Sequence, residues 1–178
     1  NALQFGRTEA ALSVVRRQAR YQANVSQSAA LLTERGTEAI PDVLRLLGEA
    51  SGAAGVFYLA YSAHEDATEG FARDLDTAAD SHWQVQALWT ATTLPPALLA
   101  RVRSYSIALE HAQPWADQLI NRPYLVLQPE SLSEAERESL RTLGFNTLLL
   151  LTVRGEALYP NIILLGRADA GAVWQEEE

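Results

Sequence analysis

Apolar residues near the start of the chain recur at steps of three and four, the spacing of one face of a helix. The stripe consists of Leu12, Val15, Ala19, Val25, Ala29 and Leu32. Residues 7–35 contain neither proline nor glycine and precede Gly36, so they are predicted as one helix. Because the stripe is narrow and shifts register near Gln22, the helix needs a partner. We favour a second copy in a parallel coiled coil over packing against the helix's own domain.

A second helix is predicted over residues 37–51, with Thr37 as its cap, Pro41 in its first turn and Gly52 at its end. Its core face is formed by Ile40, Val43, Leu44 and Leu47. An aromatic-rich strand follows at residues 56–61. The chain therefore passes from two helices into a sheet.

Residues 83–90 alternate between apolar and polar side chains, which is the pattern of a half-buried strand. The apolar set is Trp83, Val85, Ala87 and Trp89, and the polar set is Gln84, Gln86 and Thr90. Because strand side chains alternate between the two faces of a sheet, both tryptophans are expected on one face.

Later segments alternate between short helices and strands. Ser133 and Glu136 form the sequence signature of a capping box, and Gly144 ends that helix. The predicted helices are 97–105, 114–120 starting at Pro114, and 133–143, and the predicted strands are 124–127, 146–153 and 161–166. The last two strands are expected to form an antiparallel hairpin. This order predicts an α+β fold: a central antiparallel sheet of five or six strands with helices packed on it.

Composition removes most catalytic chemistry. The 178 residues include no cysteine and no lysine, and the three histidines lie far apart in the sequence. Thiolate metal sites, cysteine nucleophiles, thioether-linked cofactors, phosphate-loop lysines and Schiff bases are therefore excluded. No metal-ligand spacing and no nucleophile–base pair is present, so we name no catalytic or metal residue and expect this chain not to be an enzyme.

The charge pattern bears on partners. The net charge is −8, and residues 36–178 carry most of the acids, so nucleic acid is not an expected partner. Acidic residues cluster between positions 65 and 80, where a solvated loop is favoured over a calcium site because the calcium-loop spacing is missing. The longest aliphatic runs, such as residues 148–151 and 162–165, are four residues long and too short to span a bilayer. We therefore expect no membrane contact and a cytoplasmic location.

Two stretches and a helix resemble the GAF domain, a small-molecule sensing module of bacterial signalling proteins. They are residues 39–53 leading into the strand at Val56, Leu88-Trp89-Thr90, and the helix at 133–145 leading into Asn146. The resemblance is narrower to GAF domains that follow a PAS domain in multi-domain sensor histidine kinases. It covers residues 37–178 and implies that residues 3–36 are a signalling helix, while Asn1-Ala2 looks like a remnant of a cleaved expression tag. The chain is then expected to be a piece of a longer protein, cut within a final helix after Trp174.

The resemblance also implies what the domain binds. Bilin-binding relatives attach their chromophore through a cysteine, and cyclic-nucleotide-binding relatives carry a lysine-containing signature. This chain has neither residue, so a covalent bilin and a cyclic nucleotide are disfavoured. An unidentified noncovalent small molecule remains the expected ligand.

In GAF-like folds the pocket lies between the sheet and the short helices that cross it, here residues 94–120. The candidate ligand-binding residues are Trp83, Trp89, Arg101, Tyr105, His111 and Trp115. Aromatic walls with a few polar groups suit a small organic ligand. The competing interpretation is that the tryptophans pack in the core and that the arginine and histidine are solvated.

The resemblance implies a regulatory sensor of a signal-transduction protein, with the kinase domains outside this chain. It would bind a small molecule or a neighbouring domain and relay the signal through its terminal helices in a homodimer. The alternative is a dimerisation and spacer module without a ligand.

Overall fold

A computed structural model describes residues 19, 22–24, 26–28, 30–62, 81–128, 130, 132–154, 157–168 and 174. All of the described residues between 19 and 35 are helical, and we label this segment α1. The predicted N-terminal helix is therefore confirmed over this range. Four residues of the predicted stripe, Leu12, Val15, Val25 and Ala29, lie outside the described residues, as do the acidic loop at 63–80 and residues 175–178.

The sheet is antiparallel throughout, as predicted. Its six strands run in the order β3-β2-β1-β6-β5-β4, and every neighbouring pair is antiparallel. The strands are β1 (Gly55–Ser62), β2 (His82–Thr90), β3 (Ser106–Ala108), β4 (Tyr124–Leu127), β5 (Thr147–Val153) and β6 (Asn161–Arg167). The helices after α1 are α2 (Ile40–Ser51), α3 (Pro96–Arg103), α4 (Leu109–Asn121) and α5 (Glu134–Leu143). The predicted α+β class is confirmed.

Each face of the sheet packs against its own helices. On the α4 face, α4 and α5 cover side chains that include Phe57, Leu59, Trp83, Val85, Leu148, Leu150, Ile162 and Leu164. On the α2 face, α2 covers side chains that include Val56, Ala87, Trp89, Leu149 and Leu165. The sheet is thus the middle of three layers, because both of its faces are apolar.

A β-bulge makes the single-face prediction for β2 wrong. Tyr58 of β1 pairs with Ala87, but the next residue, Leu59, pairs with Val85, so Gln86 is the extra residue in the ladder. One extra residue reverses the alternation of every side chain beyond it. Trp83 and Val85 therefore lie on the α4 face, whereas Ala87 and Trp89 lie on the α2 face.

The Gly36–Ala39 turn, a short 3₁₀ helix, joins α1 to α2. The Asn24 side-chain N–H donates to the Leu46 carbonyl at 3.2 Å, and Arg35 pairs with Asp42 at 2.9 Å. The later α1 residue, Arg35, contacts the start of α2, and the earlier one, Asn24, contacts its middle, so the two helices run antiparallel. Ser28 is buried, and Leu31 packs against the α2-face core. One side of α1 therefore packs on the domain, which is the alternative that the sequence left open.

Two further expectations need correction, and one strand was missed. α2 begins at Ile40, after the 3₁₀ turn, and no side chain caps it, so Thr37 is not its cap. α4 begins at Leu109 and contains Pro114 in its interior, because the buried stripe of Leu109, Ala112 and Trp115 extends before the proline. Burial of that stripe outweighs the one backbone hydrogen bond that a proline removes. The short strand β3 was not predicted.

Candidate functional site

A cavity of about 40 Å³ lies on the α4 face, between the sheet and helices α4 and α5. Its walls are Phe57, Leu59, Tyr105, Ile107, Trp115, Leu127, Leu132, Glu136, Leu140, Leu148, Leu150, Ile162 and Leu164. Strands β1, β4, β5 and β6 supply the floor, because alternate residues of each strand point to this face. The expected pocket between the sheet and the crossing helices is therefore present, with α5 as an additional wall.

Glu136 brings a carboxylate to this apolar wall. Its Oε1 accepts a hydrogen bond from Trp115 Nε1 at 3.1 Å. Its Oε2 accepts from the Ser133 backbone N–H and from Ser133 Oγ, both at 2.7 Å, and the Glu136 backbone N–H donates to Ser133 Oγ. The predicted capping box of α5 is thus confirmed, and its glutamate also connects α5 to α4.

Trp115, which lines the cavity, belongs to an aromatic cluster that extends away from it. Its ring lies 5.6 Å from that of Trp83, and the Trp83 ring lies 5.0 Å from Tyr61 and 5.7 Å from Tyr159. Trp83 is fully buried, and its Nε1 donates to the carbonyl of Pro160 at 2.9 Å. The polar ends of Trp83 and Trp115 are therefore both held by hydrogen bonds.

The segment before β6 is attached to α4 through Tyr159. Its hydroxyl forms a hydrogen bond with Asp117 Oδ1 at 3.0 Å. Partial burial raises the pKa of Tyr159, and the neighbouring Asp117 carboxylate raises it further. The phenol is therefore held in its neutral form beside α4.

The six candidate ligand residues separate into three groups. Tyr105 and Trp115 line the cavity, and Trp83 packs directly behind Trp115. Arg101 and His111 are exposed on α3 and α4, with His111 Nε2 3.7 Å from Glu110 Oε1.

Trp89 lies on the opposite face of the sheet. Its six-membered ring covers Gly48 of α2, where a Cβ atom would overlap it. Because of the bulge at Gln86, Trp89 therefore does not line the cavity.

Sequence reasoning recognised Glu136 only as a capping residue. Its position in the wall depends on how α5 is oriented over β5 and β6, a long-range contact without a local sequence signal. The sequence signal that could have indicated this position is the capping-box glutamate followed one turn later by the apolar Leu140.

Within the described residues, no group of three or more acidic or histidine side chains is arranged to hold a metal ion. No helix among them combines the length and apolar character needed to cross a bilayer.

Comparison with solved structures identifies the fold. The GAF domain/HD domain protein from Geobacter sulfurreducens is 17% identical with a TM-score of 0.54, over 78% of each chain. The phycoerythrobilin-bound GAF domain from a cyanobacterial phytochrome is 12% identical with a TM-score of 0.53, over 90% of this chain and 84% of that one. The chromophore-binding domain of an unusual bacteriophytochrome from R. palustris is 11% identical with a TM-score of 0.55, over 89% of this chain and 56% of that one.

No protein-family profile matches the chain, and no curated protein matches it. The structural neighbours and the antiparallel six-stranded sheet together define the class: an α+β domain with helices on both faces of its sheet. The chain has the fold of a GAF domain, as its sequence resemblance implied.

Proposed function

We propose that this chain is a regulatory sensory module of a bacterial signal-transduction protein, a cytoplasmic sensor histidine kinase in which a PAS domain precedes it. The module binds a small molecule noncovalently in the α4-face cavity, or contacts a neighbouring domain, and relays the change through its terminal helices. Its own residues perform no catalysis, and the kinase activity belongs to other domains of the parent protein.

The observation that carries this proposal is the carboxylate of Glu136 in an otherwise apolar cavity. Pockets for small ligands combine apolar walls with a few polar groups that fix orientation. Glu136 is hydrogen-bonded to Trp115 of α4 and to Ser133 at the start of α5, so a ligand that contacts it touches two helices at once. A sensor needs such a connection between ligand and secondary structure.

Two features restrict the ligand. A covalent bilin is disfavoured, because this chain offers no cysteine for a thioether bond. A volume of about 40 Å³ is far below the roughly 300–1,000 Å³ of pockets that hold drug-sized molecules. The ligand we propose is therefore small and noncovalent.

A thermal-shift screen of small metabolites, combined with native mass spectrometry for a co-purified ligand, tests this binding function. A ligand at 100 times its Kd should add about 2.7 kcal/mol to the free energy of unfolding. Ile107→Phe narrows the cavity and should abolish the shift, whereas Ile163→Phe, on the α2 face of the sheet, should retain it. A shift that survives Ile107→Phe would place binding elsewhere.

The relay that we propose uses α1 as a dimer helix. Asn24, Ser28 and Leu31 face the domain, whereas Ala19 and Leu32 of the predicted stripe are exposed, Leu32 by 40%. A helix with one side on its domain and another side exposed can join two copies. Leu32→Glu should lower the dimer fraction in light scattering, and Gln27→Glu, an exposed control, should not. An unchanged oligomeric state in Leu32→Glu would contradict the dimer helix.

The small volume of the cavity favours a second candidate, a ligand-free dimerisation and spacer module. In that case no compound in the screen shifts the melting temperature, but the dimer remains sensitive to Leu32→Glu. The ligand screen therefore separates the two candidates, while the dimer measurement tests the feature that they share.

A further inference from the structure

We propose that the cavity recognises a compact apolar amine whose ammonium group binds to the carboxylate of Glu136. This inference rests on the proposed sensory function and names the ligand class of the same site. It follows from the charge of the wall, the hydrogen bonds that Glu136 already makes, and the room beside it.

The charge of the cavity wall has one sign. Glu136 is the only acid among the thirteen wall residues, and no arginine or histidine is among them. The ion pairs observed for Arg137 and Arg141 on the same helix go to Glu134 and Glu138. A carboxylate in apolar surroundings favours a cationic partner and disfavours an anionic one.

The hydrogen bonds of Glu136 leave capacity for a ligand. A carboxylate offers about four acceptor positions. The indole N–H of Trp115 and the two donors of Ser133 occupy three of them. An ammonium group carries only donors, so it matches the remaining position, and such charge-assisted bonds are about twice as strong as neutral ones.

The remainder of the ligand is defined by the walls. Phe57, Leu148, Leu150 and Ile162 offer apolar surface, and the volume of about 40 Å³ restricts the ligand to a short or branched aliphatic body. Binding would tie the ligand to the start of α5, since Glu136 is the capping-box residue there. Occupancy is thereby expected to protect the first turn of α5 from hydrogen exchange.

The test compares three molecules of similar shape: isobutylamine, isobutanol and isobutyrate. Calorimetric titration at pH 7 and fixed ionic strength should give the amine a Kd about tenfold or more below that of the alcohol, with no binding of the carboxylate. Glu136→Gln retains a capping-box side chain but lacks the charge, so the amine should lose its advantage and bind like the alcohol. Glu134→Gln removes a charge from the exposed side of the same helix and should leave the ratio unchanged.

Each outcome decides one question. Equal affinity for amine and alcohol in the wild-type chain overturns the amine assignment, and so does an advantage that persists in Glu136→Gln. If none of the three binds, the amine assignment also fails, while the proposed sensory function still depends on the wider screen and on Ile107→Phe. Should Glu136→Gln unfold, the wild-type series alone still decides between a cation, a neutral donor and an anion.

Discussion

The two faces of the sheet hold their tryptophans in different ways. On the α4 face, Trp83 and Trp115 are held at their polar ends, by the Pro160 carbonyl and the Glu136 carboxylate. On the α2 face, the ring of Trp89 lies directly on the backbone of Gly48. A cavity borders Trp115 on the first face, whereas on the second face a helix lies in close contact with the sheet. One sheet thus has a face that borders a cavity and a face that is tightly packed against a helix.

The bulge at Gln86 produces this difference. Val85 and Ala87 are two positions apart, yet they pair with the adjacent residues Leu59 and Tyr58 of β1. Without the bulge, Trp83 and Trp89 would share a face. One extra residue therefore assigns one tryptophan to the cavity side and the other to α2.

The largest effect is expected at the centre of the α4 face. Trp83→Ala removes a fully buried indole and leaves the Pro160 carbonyl without its donor, so we expect a loss of about 3–5 kcal/mol of unfolding free energy. Trp115→Ala should cost less, because that ring already borders a cavity. Urea denaturation of both variants measures the difference, and equal losses would show that the cavity does not loosen this face.

The next effect tests the tight packing on the α2 face. Gly48→Ala places a methyl group where the Trp89 ring lies, and overpacking of this kind costs about 1–3 kcal/mol. The same substitution in a Trp89→Leu background should cost much less, since the smaller side chain leaves room and alanine favours helices. A double-mutant cycle by urea denaturation isolates the interaction energy between positions 48 and 89. If Gly48→Ala costs the same in both backgrounds, the ring and the glycine are not in conflict.

The smallest effect involves one tyrosine on each face. Burial raises the pKa of Tyr58 on the α2 face, partly offset by its hydrogen bond with Asn161, and burial with Asp117 raises that of Tyr159 on the α4 face. Both groups stay protonated in the folded state after unfolded tyrosines, with a pKa of about 10, have begun to ionise. Their contribution to stability is therefore complete below pH 10 and is lost as the pH rises through the folded values.

The chain suits this measurement because it contains six tyrosines but neither lysine nor cysteine. Unfolding free energies measured between pH 8 and 11 should decrease above pH 10, and less steeply in Tyr159→Phe. Tyr124→Phe, at an exposed position of β4, serves as the control. A slope that is the same in Tyr159→Phe and in the wild type would contradict the role of this residue.

Local patterns predicted most of the secondary structure. The capping box of Ser133 and Glu136 and the terminating Gly144 defined α5, because these signals act within a few residues. The bulge at Gln86 could not be predicted, since it exists only in the pairing with β1. Likewise, Pro114 indicated a helix start, but the burial of Leu109 and Ala112 against the sheet moved the start five residues earlier.

The candidate site was predicted less well than the fold. Tyr105 and Trp115 line the cavity, in the crossing segment to which the GAF resemblance pointed, and their role in ligand binding stays a prediction. Arg101 and His111 were selected for their chemistry, but each lies on an exposed side of its helix. Which side of a short helix faces the sheet depends on long-range packing, and the sequence carries little information about it.

The position of β1 and β6 side by side at the middle of the sheet has a mechanical consequence. Gly55 and Gly166 are paired neighbours, and the Ala54 N–H donates to the Gly166 carbonyl at 2.8 Å. Arg167 then bonds the Ser51 carbonyl at the end of α2. Tension applied to the chain on either side of the sheet would therefore pass through this short span and bypass the rest of the domain. The part of the chain between Gly55 and Gly166 therefore begins and ends at paired positions of the sheet.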